Sequence, residues 1–159
     1  MKHKILKNHL ILGLLFILVL VLMLYIKLWV DTYKEEKYSK SYLTDKVEEI
    51  KLSELEVTTK EMNDVFLLVT KTGNKKIYKQ EQELYEFMKK HNVINNFIYL
   101  DVTNDKDYII NLNNIYSNIE IDDVPFLIFI KNGTGVKVIN NNGKIETKFI
   151  EQIINEYEL

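Results

Sequence analysis

The stretch "VPFLIFIKNG", residues 124–133, contains the only proline of this chain. Pro125 is followed directly by five apolar residues that favour strands, and the run ends in Lys-Asn-Gly. Asn-Gly is the strongest short signal for a hairpin turn. The stretch therefore predicts a buried strand over 125–131, with the proline at its first position, where the missing N–H costs nothing. An antiparallel partner strand is predicted over 136–140.

Upstream of this hairpin, predicted strands alternate with predicted helices. Continuous apolar runs of strand length, typical of strands buried on both faces, lie at residues 64–70 and 96–102. Apolar residues recur on one face of three predicted helices, over residues 75–92, 104–118 and 147–158. Residues 47–62 predict a short strand or a helical lead-in. After this segment the order is β-α-β-α-β-β-α, an α/β fold whose first two strands run parallel through right-handed crossovers and whose last pair is antiparallel.

The first thirty residues have a different composition. In the stretch 10–30, Lys27 is the only charged residue. As a helix this stretch measures roughly 31 Å, enough to cross the hydrocarbon core of a bilayer. Tyr25 and Trp29 suit the membrane interface, which Lys27 can reach by snorkelling. A run this long, with no small-x-small cleavage site after it, favours a retained anchor over a cleaved signal peptide. A buried core helix is disfavoured because nothing in the rest of the chain could cover a helix that is apolar on every side.

These features predict a chain in four parts: an N-terminal flank (1–9), a transmembrane anchor (10–30), a charged stalk (31–46) and a folded domain (47–159). The stalk either continues the anchor helix or is a disordered spacer. Three lysines on the short flank predict a cytoplasmic N-terminus. The protein is therefore predicted to cross the cell membrane once and to place its C-terminal domain outside the cytoplasm.

Charge and composition exclude several classes of function. Residues 1–30 carry four lysines and no acid, whereas the remainder carries 17 lysines and 23 acids. A domain of net negative charge repels phosphate backbones, so no nucleic-acid partner is predicted. The chain has no cysteine, which excludes a disulfide, a thiolate metal site and a thiol nucleophile. The lack of alanine and arginine beside many asparagines and isoleucines is typical of an AT-rich bacterial genome.

The element order, with a proline opening the first strand of a terminal hairpin, resembles the thioredoxin fold from about Val47 to the C-terminus. "IEIDDVPFLIFIKNG" is similar to the thioredoxin segment in which an apolar residue and a cis-proline precede a strand ending in Lys-Asn/Asp-Gly. "FIYLDVTND" is similar to the middle strand of that fold. Within the superfamily, "KLSEL…DVFLLVTKTGNKKIYKQEQEL" most resembles the membrane-anchored bacteriocin-transport accessory proteins of Gram-positive bacteria.

The resemblance supplies a register for the family's active site. Without gaps, the CxxC tetrad falls on residues 74–77, so that both cysteine positions, Asn74 and Ile77, lack sulfur. The buried acid of thioredoxins falls on Leu68, and the threonine that follows the cis-proline falls on Phe126. Thiol–disulfide exchange requires a thiolate. The chain is therefore predicted to be redox-inactive, to need no cofactor and not to be an enzyme.

The resemblance also implies a binding groove that does not depend on cysteine. In the family, a cis bond before the proline exposes the backbone of the preceding residue, here Val124, to pair with an extended peptide. We therefore expect a cis Val124–Pro125 bond. The predicted protein- or peptide-binding groove has two walls, formed by Val124, Pro125 and Phe126 and by Thr72, Gly73, Asn74, Lys75 and Lys76. The second wall opens a helix and so is also a candidate anion site, although a solvated turn with Asn74 or Thr72 as N-cap is the simpler interpretation.

Other polar clusters carry weaker patterns. Residues 101–107 gather carboxylates but lack the central Gly and distal Glu of a calcium loop. The acids beside the predicted groove form either a solvated loop or an acidic rim for a basic partner: Glu120, Asp122 and Asp123. The three histidines are too scattered in the sequence for a metal site. No metal site is therefore predicted.

Three functions remain open at this point. The first is a non-enzymatic module that binds a protein or peptide at the outer face of the membrane, in a secretion or bacteriocin-export setting. The second is an accessory that holds substrates for a cysteine-bearing paralogue in a thiol–disulfide oxidoreductase system. The third is a structural subunit of a membrane complex. In each, the lipid bilayer is a partner through residues 10–30.

Overall fold

The computed structural model describes residues 2–62, 64–121, 123–140 and 143–159. The chain divides after Lys37 into two compact units, which are described separately. The N-terminal unit is a helix, and the unit Tyr38–Leu159 contains the sheet.

The N-terminal helix α1 runs from Lys2 to Tyr38. Between Leu10 and Trp29 its large apolar side chains are exposed, with Leu10 at 67% and Trp29 at 66%. A helix of this length and composition is a candidate membrane span, within His9–Tyr38. The predicted anchor lies inside α1. Of the two alternatives for the stalk, the helical one holds as far as Tyr38.

The compact C-terminal unit begins at Tyr38, before the predicted domain start at Val47. The side chain of Leu43 has no exposed surface, and the carbonyl of Leu43 accepts hydrogen bonds from the N–H groups of Lys46 (2.9 Å) and Val47 (3.1 Å). Composition alone separates the predicted stalk from the domain, and one buried leucine hardly changes the composition of a charged segment. The sequence pattern therefore places the start of the domain later than the structure does.

The C-terminal unit contains a five-stranded mixed sheet with the strand order β1-β3-β2-β4-β5. The strands are β1 (Glu48–Glu49), β2 (Asp64–Thr70), β3 (Phe97–Asp101), β4 (Phe126–Lys131) and β5 (Thr134–Ile139). The helices are α2 (Leu55–Glu61), α3 (Lys75–His91), α4 (Tyr108–Ile115) and α5 (Thr147–Tyr157), and a 3-10 turn spans Ile94–Asn96. β1, β3 and β2 are parallel, whereas β4 is antiparallel to both β2 and β5. The predicted parallel pair and the antiparallel hairpin are confirmed.

Alternation along the strands divides the core between the two faces of the sheet. On one face, Phe66, Tyr99 and Phe129 join buried residues of α3 and α5, such as Leu84 and Ile153. On the other face, the opposite side chains of the same strands pack against α2 and α4; this set includes Val65, Leu67, Ile98, Ile128, Leu55 and Leu112. The result is a three-layer α/β/α domain. It explains why β2, β3 and β4 are almost continuously apolar, since both of their faces are covered.

Two predicted elements differ in extent from the observed ones. Residues 47–62 contain both a short strand and a helix, β1 and α2, where the sequence left a choice. The helix predicted over 104–118 is confined to α4. It is shorter because the residues before it form turns, in which Asp105 donates its N–H to the carbonyl of Val102 and accepts the N–H of Asp107 on its side chain. Asp and Asn favour such local hydrogen bonds over helix interiors.

The Asn-Gly hairpin forms as predicted, but its second strand begins earlier. Asn132 (φ 49°) and Gly133 (φ 73°) both have positive φ, as a two-residue type I′ turn requires. Pairing therefore resumes at Thr134, opposite Lys131. Val136 is then the extra residue of a bulge, between the pairs Ile130–Gly135 and Phe129–Lys137.

Buried Glu81 on α3 joins the start of the domain to the end of β2. One carboxylate oxygen, Oε2, accepts the N–H of Tyr42 at 2.7 Å, and the other, Oε1, accepts the hydroxyl of Thr70 at 2.7 Å. Glu81 is only 3% exposed. Burial raises the pKa of this carboxyl above its usual value, and the nearby charge of Asp101 acts in the same direction, against the hydrogen bonds from Thr70, Tyr42 and Ser41. The surroundings of Glu81 thus provide hydrogen-bond donors to its carboxylate, but its burial disfavours the ionised form.

We expect Glu81→Gln to stabilise the domain at neutral pH and Glu81→Ala to be less stable than Glu81→Gln by about 1–3 kcal/mol. The amide keeps an acceptor for Tyr42 and gains a donor toward Thr70, whereas alanine leaves both groups unpaired. Because the folded protein binds the Glu81 proton more tightly than the unfolded chain does, wild-type stability falls as the pH rises above the ordinary value of 4.5.

The measurement is guanidinium unfolding of the full chain in detergent micelles, followed by the near-ultraviolet circular dichroism of tyrosine at several pH values. The advantage of Glu81→Gln over wild type should vanish below the ordinary pKa of 4.5 and grow toward neutrality. A difference that is independent of pH would show that the charge of Glu81 is not what the fold disfavours.

Candidate functional site

The loop between β2 and α3 holds one wall of the predicted groove. Gly73 has a φ of 79°, a left-handed conformation in which a side chain is strained. Asn74 has an extended backbone, and its Oδ1 accepts the N–H of Lys76 at 2.8 Å. Asn74 is therefore the N-cap of α3, which decides between the two capping residues considered from the sequence. Its side chain also engages one of the N–H groups that a bound anion would use.

The same loop is held by two residues that the sequence did not indicate, Thr103 and Asp101. The Thr103 hydroxyl accepts the N–H of Thr72 at 2.8 Å and lies 3.0 Å from the Thr72 hydroxyl. Asp101 Oδ1 accepts both the hydroxyl and the N–H of Thr103, the latter at 2.9 Å. Because β2 and β3 are parallel, their carboxyl ends meet at one edge of the sheet. The parallel pairing of these two strands, which the sequence predicts, is the only feature of the sequence that indicates the contact between Thr72 and Thr103.

On the other side, the peptide bond between Val124 and Pro125 is cis, as expected. The three residues of this wall differ in exposure. Phe126 has no exposed surface, pairs with Val69 across the sheet and packs in the core, and Pro125 is also buried. Only Val124 is partly exposed. Of the three residues proposed for this wall, only Val124 is therefore accessible.

The two walls meet in an open cleft of about 290 Å³. Its lining consists of Lys71, Thr72, Gly73, Asn74, Ile77, Asp123 and Val124. Segments some fifty residues apart in sequence thus share one surface, as the groove hypothesis requires. Lys75 and Lys76 are exposed but do not line this cleft. Ile77, at the second cysteine position of the family register, is 7% exposed, and Leu68, at the position of the buried acid, lies in the core at 2%.

At the rim of the cleft, the carboxylate of Asp123 makes several polar contacts. Its Oδ1 accepts the N–H of Val124 at 2.9 Å and the phenol of Tyr108 at 3.0 Å. The Lys71 ammonium lies 4.0 Å from the same oxygen and 4.6 Å from the centre of the Tyr108 ring. Burial and then the hydrogen bond to Asp123 raise the pKa of Tyr108 to about 12, so the phenol remains a donor at neutral pH.

Of the predicted acidic rim, the structure places Asp123 in the cleft and leaves Glu120 exposed. Asp122 lies outside the described residues. Asp123 keeps 87% of its side chain exposed despite its contacts. Within the described part of the chain, the histidines, aspartates and glutamates form no group that could hold a metal ion. The cleft thus offers backbone groups, one asparagine, one threonine hydroxyl, one ammonium group and one carboxylate.

No family model matches the sequence, and no curated protein matches it. Among solved structures, the chain is similar to thioredoxin f2 of Chlamydomonas reinhardtii, at 11% identity and a TM-score of 0.54, over 70% of this chain and 95% of that one. It is also similar to mitochondrial thioredoxin 3 of Saccharomyces cerevisiae, at 14% identity and a TM-score of 0.53, over 69% and 94%. At these identities the likeness concerns the fold alone. The chain has a thioredoxin-like α/β fold, preceded by one long apolar helix that is a candidate transmembrane segment.

Proposed function

We propose that this protein is a redox-inactive, membrane-anchored thioredoxin-like module that binds a protein or an extended peptide at the outer face of the membrane. The observation that carries the proposal is the cleft in which Val124 and the Thr72–Asn74 segment face one another. Val124 is partly exposed at the edge of an open cleft, a position that suits strand addition, in which main-chain hydrogen bonds supply affinity. No sulfur is needed for that contact.

The residues of the loop support binding rather than catalysis. Thiol–disulfide exchange needs a thiolate, and the chain has no cysteine. Asn74 engages its side chain in capping α3, and Thr72 engages its N–H with Thr103. These contacts hold the loop in one conformation, which lowers the ordering cost when a partner binds. The proposed role of the loop is therefore that of a preorganised wall.

The proposed setting is an accessory role in secretion or bacteriocin export. It rests on the sequence resemblance to anchored accessory proteins of Gram-positive bacteria and on α1, which is long and apolar enough to cross a membrane. An accessory to a thiol–disulfide oxidoreductase system would use the same cleft for a different partner. The identity of the captured protein separates these two settings.

The groove is tested by photo-cross-linking in native membranes of the source cell. A benzophenone amino acid is placed at Asn74 or Val124 of the full chain, and at Val57 as a matched control. Val57 is 62% exposed and lies on α2, outside the cleft. We expect Asn74 and Val124 to capture the same protein and Val57 not to capture it. Capture at all three positions, or at none, would contradict a groove between these walls.

The membrane topology is tested by proteolysis of intact protoplasts. We expect external protease to remove the domain Tyr38–Leu159 while a cytoplasmic marker protein stays intact, because the lysine-bearing N-terminal flank is predicted to remain inside. A domain that is digested only after lysis of the protoplasts would place it in the cytoplasm and overturn the outer-face assignment.

A further inference from the structure

The backbone donor that strand addition would use is already engaged within the chain. The N–H of Val124 donates to Asp123 Oδ1 at 2.9 Å, and both residues line the cleft. In strand addition, the edge backbone offers its N–H and C=O groups to the incoming strand. A peptide carbonyl can therefore accept the N–H of Val124 only if it displaces the carboxylate of Asp123.

The carboxylate is held in this position from a second direction. Tyr108 lies in the first turn of α4, is 4% exposed and donates its phenol to the same Oδ1 at 3.0 Å. The Lys71 ammonium at 4.0 Å adds little, because the Asp123 side chain is 87% exposed and the pair is screened by solvent. The Tyr108 contact thus restrains Asp123, while solvent exposure leaves room for the side chain to turn away.

We infer that Asp123 closes the groove by competing with the partner strand for the N–H of Val124, and that Tyr108 sets the strength of this closure. The inference rests on the proposed groove. Breaking a charge-assisted hydrogen bond before a neutral one forms weakens binding. The chain would then hold only partners whose other contacts compensate for the displaced carboxylate. Asp123 is in this sense the residue that determines affinity and selectivity in the cleft.

The test uses the full chain, labelled with ¹⁵N, in detergent micelles, with a short neutral peptide of alternating valine and serine as the probe. The amide resonance of Val124 reports whether the peptide binds in the groove, and its titration gives the dissociation constant. We expect Asp123→Ala to bind the peptide about five- to tenfold more tightly than wild type, the effect of one net hydrogen bond. Asp123→Asn, which keeps an acceptor without the charge, should fall between them.

Two further variants distinguish the effect of the Asp123–Val124 hydrogen bond from the effect of loop charge. Glu120→Ala removes one negative charge from the same exposed loop and should bind like wild type. Tyr108→Phe keeps the buried ring but removes the donor to Asp123, so it should tighten binding by a smaller factor than Asp123→Ala. Spectra that are otherwise unchanged establish that each variant is folded.

The outcomes distinguish the closure from the groove. Equal affinities of wild type and Asp123→Ala, with a shift at Val124 in both, would overturn the closure and leave the groove standing. No shift at Val124 in any variant, Asp123→Ala included, would overturn both. If Glu120→Ala gained as much affinity as Asp123→Ala, the charge of the loop alone would explain the effect. That result would also overturn the closure.

Discussion

At the centre of the sheet, β4 pairs antiparallel with β2, from Asp64 opposite Lys131 to Val69 opposite Phe126. Because the two strands run in opposite directions, the end of β2 lies beside the start of β4. The loop that caps α3 and the segment that ends in the cis-proline are therefore neighbours, although about fifty residues separate them. A shift of one residue in this register would turn the side chains of one strand toward the opposite helical layer, where they do not fit. The cleft thus depends on the same ladder as the core.

The two faces of the sheet explain why that register is unique. Phe66 stacks on Phe97 and tilts against Phe129 on one face, with ring centres 4.6 and 5.0 Å away. Their sequence neighbours pack against α2 and α4 on the opposite face. The position of each of these three strands, β2, β3 and β4, is therefore fixed by packing against both helical layers. Glu81 adds a buried polar contact between α3, β2 and the start of the domain, where only a precise arrangement satisfies both carboxylate oxygens.

Most side chains that line the cleft are polar or charged. Threonine hydroxyls, an N-capping asparagine and a shared carboxylate hold its loops through hydrogen bonds that are internal to the chain. Such a surface suits recognition of backbone groups, whose hydrogen bonds need geometry more than chemical reactivity. The contact of Asp123 with Val124 means that the most suitable donor at the rim is not free for a partner without a local change. Under the proposed function, affinity in this cleft is coupled to the position of the Asp123 side chain.

The chain's own pattern determined the parallel β2–β3 pair, the Asn-Gly hairpin, the helices α3 and α5 and the apolar span within α1, because each rests on local periodicity or turn chemistry. It did not determine the start of the domain at Tyr38, the bulge at Val136 or the hydrogen bonds of Thr103 and Asp123. These depend on contacts between segments distant in sequence, or on a single buried side chain that a composition average does not register. The family register proposed both segments of the groove, but only the tertiary structure decided that Phe126 lies in the core and that Val124 lines the cleft. Side-chain direction at a strand end follows from which layer covers each face, and that is a property of the assembled domain.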